Sequence, residues 1–322
     1  MNIEDIQRPI RDDFLKVNAR IYQSLHSDVE LISQMGQHIV ESGGKRLRPI
    51  LALLSAKAWG YQGTEHIDLA AIVEFIHTAT LLHDDVVDAS LLRRGKDTAN
   101  VIWGNEATVL VGDFLYSRAL EMLAEIKNIR FVEIFGRAVS DISEGEVRQL
   151  LNKHQPDISE AEYCRVIKGK TAILFGTATQ IGAVISNCSR DQENCMTDFG
   201  LHVGTAFQLI DDVLDYSGTE QDIGKNLGDD LAEGKPTLPL IYAMKNGSKS
   251  QADFIRLAIR EGGRDRIDDV TRIIEETGAL KYTEDTALVE SQRAIALLDK
   301  VPDSSYKEAM RGLATFSAQR SF

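Results

Sequence analysis

Residues 73–94 read VEFIHTATLLHDDVVDASLLRR: an apolar helical run that closes on Asp84, Asp85 and Asp88, followed by Arg93 and Arg94. In an α-helix residues four apart lie one above the other, so Asp84 and Asp88 share a face with Asp85 beside it. Two carboxylates about 4 Å apart repel by roughly 4 kcal/mol at an effective dielectric of about 20. Such a cluster calls for cations, and hard ions that prefer oxygen suit it best. Mg²⁺ held by a few carboxylates completes its shell with water and substrate phosphate. Taken alone, the stretch reads equally as a solvated acidic helix end. A second copy breaks the tie: GTAFQLIDDVLDY places Asp211, Asp212 and Asp215 at the same spacing after another apolar run. Solvated faces would not need the flanking Val86, Val87, Val213 and Leu214, so the pair reads as two metal–carboxylate sites for a phosphorylated substrate.

Outside these stretches the composition narrows the function. The chain has 322 residues, 43% hydrophobic and 26% charged, as globular proteins do. A net charge of −13 argues against nucleic-acid binding, and an anionic substrate would need local cations to offset that field. Cys164, Cys188 and Cys195 show no metal-ligand spacing, and an odd count argues against a disulfide framework, which fits a reducing cytoplasm. The acidic N-terminus, MNIEDIQRPIRDDF, does not read as a signal peptide, and no apolar run reaches the roughly 18 residues of a membrane span. Only six prolines favour long helices.

Residues Ile3 to Val40 read as helical, with Phe14, Val17, Ile21 and Leu25 at three- and four-residue steps. Next, Gly43 and Gly44 free the backbone, Lys45, Arg46 and Arg48 supply cations, and Pro49 opens a helix. Together they make an anion site; a basic helix-capping loop is the plainer reading. His77, seven residues before Asp84, reads equally as a core histidine and as part of the site, while His83 reads as structural. A helix spans Ile67 to Asp88 and another Phe131 to Leu151, where Glu146 and Gln149 share a face. Ala161 to Ser186 is rich in small residues that allow close packing; Lys170 and Thr171 interrupt it, the lysine either snorkelling or reaching an anion. The loop DIGKNLGDDLAEGKPTLPL holds Lys225, Asp229, Asp230 and Lys235, and its place after an aspartate cluster suggests a phosphate-covering lid rather than plain solvated chain. Beyond Leu238 the chain reads as surface-amphipathic helices. No sustained period-two alternation and no G-x-G-x-x-G or P-loop is present. The expected fold is all-α, one large helical bundle with the site between facing helices.

DDVVD followed by RR, DDVLD after FQLI, GGKRLRP upstream, KTAILF, and GKNLGDDLAEGKPT together resemble the trans-isoprenyl diphosphate synthases, or polyprenyl synthetases. The resemblance runs from about Asp28 to the C-terminus and implies one polyprenyl synthetase domain over 1–322, of the isoprenoid-synthase type with a central cavity. It implies an Mg²⁺-dependent homodimer that condenses an allylic diphosphate, such as farnesyl diphosphate, with successive isopentenyl diphosphates. The nearest members are bacterial ones that build eight-unit chains for the quinone side chain. By resemblance, Asp84, Asp88 and Asp211 hold Mg²⁺, and Asp85, Asp212 and Asp215 complete the shells or bind metal waters. Arg93, Lys170, Thr171, Gln208, Lys225 and Lys235 contact the allylic diphosphate; Lys45, Arg48, His77 and Arg94 hold that of isopentenyl diphosphate. In this family large aromatic residues one turn before the first aspartates stop short products. Here Ala79 and Thr80 are small, which leaves the path open to a deeper floor, for which Phe135 is the candidate with Leu123 and Phe131 as rivals. Three other readings are distinguishable. A terpene cyclase would lack GGKRLRP and the second aspartate cluster, a non-catalytic partner subunit would lose aspartates, and a phosphohydrolase would release phosphate without forming a C–C bond.

Overall fold

The computed structural model describes residues 1–41, 43–217 and 227–319. The all-α expectation holds. In chain order the helices are α1 (Ile3–Gln7), α2 (Arg11–Ser24), α3 (Glu30–Glu41), α4 (Leu47–Ala58), α5 (Glu65–Val87), α6 (Ala99–Trp103), α7 (Asn105–Ile126), α8 (Ile129–Asn152), α9 (Glu160–Ile167), α10 (Ile173–Ile185) and α11 (Arg190–Ser217). After the second aspartate cluster come α12 (Asp229–Ala232), α13 (Leu238–Asn246), α14 (Lys249–Glu261), α15 (Ile267–Glu276), α16 (Ala279–Leu297) and α17 (Ser305–Ala318). A π-helical turn, Lys168–Ala172, joins α9 to α10. Among the described residues the only strands are β1 (Leu92–Arg93) and β2 (Lys96–Asp97), an antiparallel pair. The chain divides into two compact units, one of Met1–Val139, Leu174–Gly200 and Ile295–Leu313, the other of Ser140–Ile173, Leu201–Ala294 and Ala314–Phe322.

The first unit is built on α5. Leu69, Ala70, Ala71, Ile72 and Val73 are buried in succession, with Phe75, Ile76, Ala79 and Leu82 beyond them. A helix apolar on every side is a core helix, and α2, α4 and α7 pack on it. Its end is defined by a Schellman motif. The Ser90 N–H donates to Asp85 O at 2.9 Å and the Ala89 N–H to Val86 O at 3.3 Å, with Ala89 in the left-handed region at φ 49°. The expected helix from Ile3 to Val40 is corrected: it breaks between α2 and α3, where Ser27 Oγ accepts from the Val29 N–H at 3.2 Å and so offers the backbone a local turn.

The second unit has its own core. Tyr216, Leu231, Leu240, Ala243, Ile255, Ile259, Val270 and Ile274 form one cluster; Tyr163, Ile167, Leu209, Ile210, Leu238, Ile241 and Ala287 form another. The reading of everything past Leu238 as surface helix is therefore corrected for α13. Its Leu238, Leu240 and Ala243 are fully buried, because its apolar residues surround the helix instead of lining one stripe.

Candidate active site

The first aspartate cluster closes α5. The Asp88 N–H donates to Asp84 O at 2.8 Å, so the helical register that stacks these two residues continues through the helix end. Both are partly exposed. Asp85 is different: it is only 4% exposed, and its Oδ1 accepts from Arg93 Nε at 2.9 Å and Nη2 at 2.7 Å. Burial pushes the Asp85 carboxyl up, and Arg93 opposes that shift. Arg93 reaches it from the β1–β2 hairpin, whose turn is Arg94-Gly95 with both φ values positive, at 56° and 74°, as a two-residue type I′ turn requires.

A cationic pocket lies in the same unit. Arg48 Nη1 donates to His77 Nε2 at 3.1 Å, and the Arg48 guanidinium stands 4.3 Å over the Phe175 ring. Burial, then the nearby Arg48, Arg94, Arg93 and Arg46, hold His77 well below its ordinary pKa. It is a neutral imidazole that accepts at Nε2 and keeps its proton on Nδ1. The Arg94 guanidinium packs where a Cβ on Gly44 would be, and the φ of 146° at Gly44 strains any other residue there. Gly43, Arg46, Glu74, His77 and Arg94 line one cavity. Lys45 sits partly exposed at its loop. The loop that presents these cations needs three positive φ values, Gly43 at 76°, Gly44 at 146° and Arg46 at 46°. A left-handed non-glycine residue costs roughly 1–2 kcal/mol, so Arg46 must be held; its Nη1 lies 3.1 Å from Glu74 Oε1 in a largely buried pair.

The second aspartate cluster, on α11, divides in the same way. Asp211 is partly exposed, while Asp212 and Asp215 are 2% and 0% exposed. Tyr163 donates to Asp212 Oδ2 at 2.5 Å and Gln208 Nε2 donates to Oδ1 at 2.8 Å. Gln208 Oε1 in turn accepts from Thr171 Oγ1 at 2.9 Å. Burial drives the Asp212 carboxyl well up, reinforced by Asp230, while Tyr163 and Gln208 oppose it. Asp215 Oδ2 accepts from the Asp230 N–H at 3.1 Å. Lys170 Nζ lies 2.7 Å from Glu146 Oε2, and Lys235 Nζ 2.5 Å from Glu233. The π turn that carries Lys170 and Thr171 rests on α8 through Gly145, where a Cβ would stand 2.6 Å from the Lys170 nitrogen. Lys170, Thr171, Gln208, Asp212 and Lys235 line one cavity with Asn152, Tyr163 and Asp230. Lys225 lies outside the described residues.

The structure thus groups Arg48, His77 and Arg94 in one unit, and Lys170, Thr171, Gln208 and Lys235 in the other. Tyr163 and Glu74 belong to these networks without a role assigned from sequence, while Asp230 lies in the GKNLGDDLAEGKPT stretch, which did not show that it meets Asp215. The donor sets suit a hard cation. Asp84, Asp88 and Asp211 are the aspartates of the two clusters that retain exposure, and carboxylate oxygens of this kind suit a cation such as Mg²⁺ that keeps waters and substrate oxygens in its shell. Chain-length candidates sit in the first unit: Ala79 is fully buried, and Thr80 Oγ1 donates to His77 O at 2.7 Å within its own helix. Phe135, Phe131 and Leu123 are 1%, 2% and 2% exposed. Among the described residues no helix is long and apolar enough to cross a membrane.

Comparison with known proteins gives the family and the fold. Residues 29–277 match the polyprenyl synthetase family model. The chain is 50% identical over 321 residues to the octaprenyl diphosphate synthase of Escherichia coli (strain K12), covering 99% of each chain. It is 44% identical over 318 residues to the all-trans-nonaprenyl-diphosphate synthase (geranyl-diphosphate specific) of Rhodobacter capsulatus, covering 98% of each. The crystal structure of polyprenyl synthase from Caulobacter crescentus CB15 complexed with calcium and isoprenyl diphosphate superposes with a TM-score of 0.96 at 42% identity, covering 99% of this chain and 98% of that one. The chain belongs to the polyprenyl synthetase family, the trans-polyprenyl diphosphate synthases.

Proposed function

We propose that this chain condenses farnesyl diphosphate with successive isopentenyl diphosphates, in the presence of Mg²⁺, to an all-trans polyprenyl diphosphate of eight isoprene units for a quinone side chain. The observation that carries the length is the small Ala79-Thr80 step, Ala79 buried and Thr80 partly exposed, one helical turn before Asp84 on the same helix. Nothing bulky on α5 stands there to stop a short product. The octaprenyl synthase of E. coli, similar along nearly all of its length, favours eight units over the nine of the Rhodobacter enzyme. We take both units to serve one polyprenyl synthetase domain, residues 1–322, acting as a cytoplasmic homodimer.

Asp84, Asp88 and Asp211 would hold Mg²⁺, and a metal bound there would neutralise charge that builds on the leaving diphosphate. Asp85, Asp212 and Asp215, engaged with Arg93, with Tyr163 and Gln208, and with the Asp230 N–H, keep the exposed aspartates in place. Lys170, Thr171, Gln208, Lys225, Lys235 and Arg93 bind the allylic diphosphate, and Lys45, Arg48, His77 and Arg94 that of isopentenyl diphosphate. Arginine suits these oxygens through its forked donors. As the allylic C–O bond breaks, these cations stabilise the departing charge, and apolar walls keep the allylic carbocation from water. The alkene of isopentenyl diphosphate attacks that cation, and the proton then lost goes to the departed diphosphate. Phe135 forms the floor that ends elongation.

The test is incubation of purified protein with farnesyl diphosphate, labelled isopentenyl diphosphate and Mg²⁺, with dephosphorylated products sized by mass. A narrow peak at eight units is expected. Products of four units or fewer would keep the chemistry and overturn the open path past Ala79 and Thr80; no incorporation would overturn the enzyme reading.

A further inference from the structure

The cationic loop contains an arginine that the diphosphate reading does not use. Arg46 lies between Lys45 and Arg48, yet its guanidinium pairs with Glu74 at 3.1 Å, the two side chains 14% and 13% exposed. Its backbone is left-handed, φ 46° and ψ 44°, at the N-cap of α4, with no side-chain cap of its own. Its carbonyl accepts the first bond of that helix, from the Ile50 N–H at 3.1 Å. This residue is therefore the hinge of the loop: Lys45 leaves the backbone just before the bend and Arg48 just after it. A non-glycine residue keeps such a conformation only where its surroundings impose it. Glu74 sits one turn before His77 on α5, the helix packed against α4, and it lines the cavity shared by Arg46, His77 and Arg94.

We propose that Glu74 is a positioning residue for isopentenyl diphosphate: its ion pair with Arg46 fixes the left-handed bend that aims Lys45 and Arg48 at the diphosphate that His77 and Arg94 also hold. The inference rests on the assignment of this pocket to isopentenyl diphosphate. Glu74 does not touch the substrate; it acts through Arg46.

Two variants at one position separate the bend from the charge. Arg46→Ala and Arg46→Gly remove the same guanidinium, but only glycine adopts the left-handed conformation freely. With farnesyl diphosphate saturating, Glu74→Gln and Arg46→Ala should each raise KM for isopentenyl diphosphate about tenfold, the ratio that corresponds to the ordinary cost of a left-handed non-glycine residue. The kcat and the KM for farnesyl diphosphate should stay within about twofold, the signature of lost ground-state binding. Arg46→Gly, and Glu74→Gln combined with Arg46→Gly, should return KM to within about twofold of the parent. An unchanged or lowered KM in Glu74→Gln overturns the proposal, as does an Arg46→Gly variant as weak as Arg46→Ala. Calorimetric binding of isopentenyl diphosphate to the same set, without turnover, keeps the test independent of elongation. If the parent binds isopentenyl diphosphate but does not elongate, the functional reading fails while the glycine–alanine contrast still decides Glu74. If the parent does not bind it, the pocket assignment and this proposal fall together.

Discussion

Gly145 is where a single methyl group should do most damage at the allylic end of the reaction. It lies inside α8 with ordinary helical backbone, so its lack of a side chain serves space and not conformation. A Cβ there would meet the Lys170 nitrogen at 2.6 Å, the Gly169 carbonyl carbon at 2.8 Å and the Lys170 Cα at 3.2 Å. All three are backbone atoms and none can swing aside. The nearest approach falls 0.8 Å short of the 3.4 Å at which ordinary contact begins, so the π turn must retreat from α8 by most of an ångström. Lys170 and Thr171 move with it, away from Glu146 at 2.7 Å and Gln208 at 2.9 Å. Overpacking of this kind costs about 1–3 kcal/mol, offset by up to about 1 kcal/mol for removing a mid-helix glycine. Misplacement by about 1 Å costs catalysis up to about a hundredfold. Gly145→Ala should therefore lose stability modestly in urea and lose kcat/KM for the allylic substrate steeply. Its KM for isopentenyl diphosphate should hold, because Lys45, Arg48, His77 and Arg94 lie on other elements. Gly169→Ala is the control: its Cβ would meet Asp141 O and Gly145 Cα at 3.3 Å, a few tenths of an ångström that the turn can yield. A Gly145→Ala variant with parental kinetics and melting would show that the close approach does not set the position of Lys170.

Other expectations follow from the same contacts. Phe135→Ala should lengthen the product beyond eight units while costing about 3–5 kcal/mol in a denaturant melt; an unchanged length removes Phe135 from the floor. Thr80→Phe should shorten the product, read by mass after dephosphorylation. Chelation by EDTA should abolish incorporation, and Mg²⁺ should restore it. Acid should unfold the first unit in part through Asp13. Burial pushes its carboxyl up, but hydrogen bonds from His66, Lys16 and Lys57 outweigh that and leave it lowered well below its usual 3.8. A folded pKa below the unfolded value contributes stability that is present above about 3.8 and lost as the pH falls through the folded value. Asp13→Asn should thus be less stable than the parent near neutrality and converge with it in acid unfolding curves.

Long helices were readable because their apolar period is sustained. The expected Ile67–Asp88 and Phe131–Leu151 became α5, Glu65–Val87, and α8, Ile129–Asn152, within the usual fraying of helix ends. What escaped is local and short. The break after α2 carries no glycine or proline; it coincides with the Ser27 hydroxyl accepting from the Val29 N–H. The β1–β2 hairpin has two residues per strand, too few for alternation to register, and its turn puts Arg94 where asparagine or glycine would have been the signal. The π turn leaves no trace in composition, because it differs from α-helix only in which carbonyl each N–H meets. Its one correlate, the Gly145–Gly169 approach, joins residues on different helices.

The aspartates show most sharply where sequence logic stops. The spacing of DDxxD fixes that the first and last carboxylates share a face, and the 2.8 Å bond from Asp88 to Asp84 confirms that phase. Spacing treats the middle residue of both clusters as another potential ligand. Burial separates it: Asp85 and Asp212 are 4% and 2% exposed, each with at least one oxygen engaged by a protein donor. A carboxylate in that state needs partners to be tolerated, and most of those partners come from outside its own helix. Arg93 comes from a hairpin, Tyr163 from α9, and Gln208 from the turn before. Asp215 extends the point, since its outward-reading position ends fully buried under the Asp230 N–H. The repeated motif therefore leaves one partly exposed aspartate on α11, Asp211, and two on α5, Asp84 and Asp88, with the other three buried. Tyr163→Phe separates the two roles. Leaving a buried acceptor without this hydrogen bond costs about 1–3 kcal/mol. If Asp212 is a strut, the loss appears in stability and in kcat with Mg²⁺ affinity nearly unchanged; if Asp212 is itself a ligand, the Mg²⁺ requirement shifts with it.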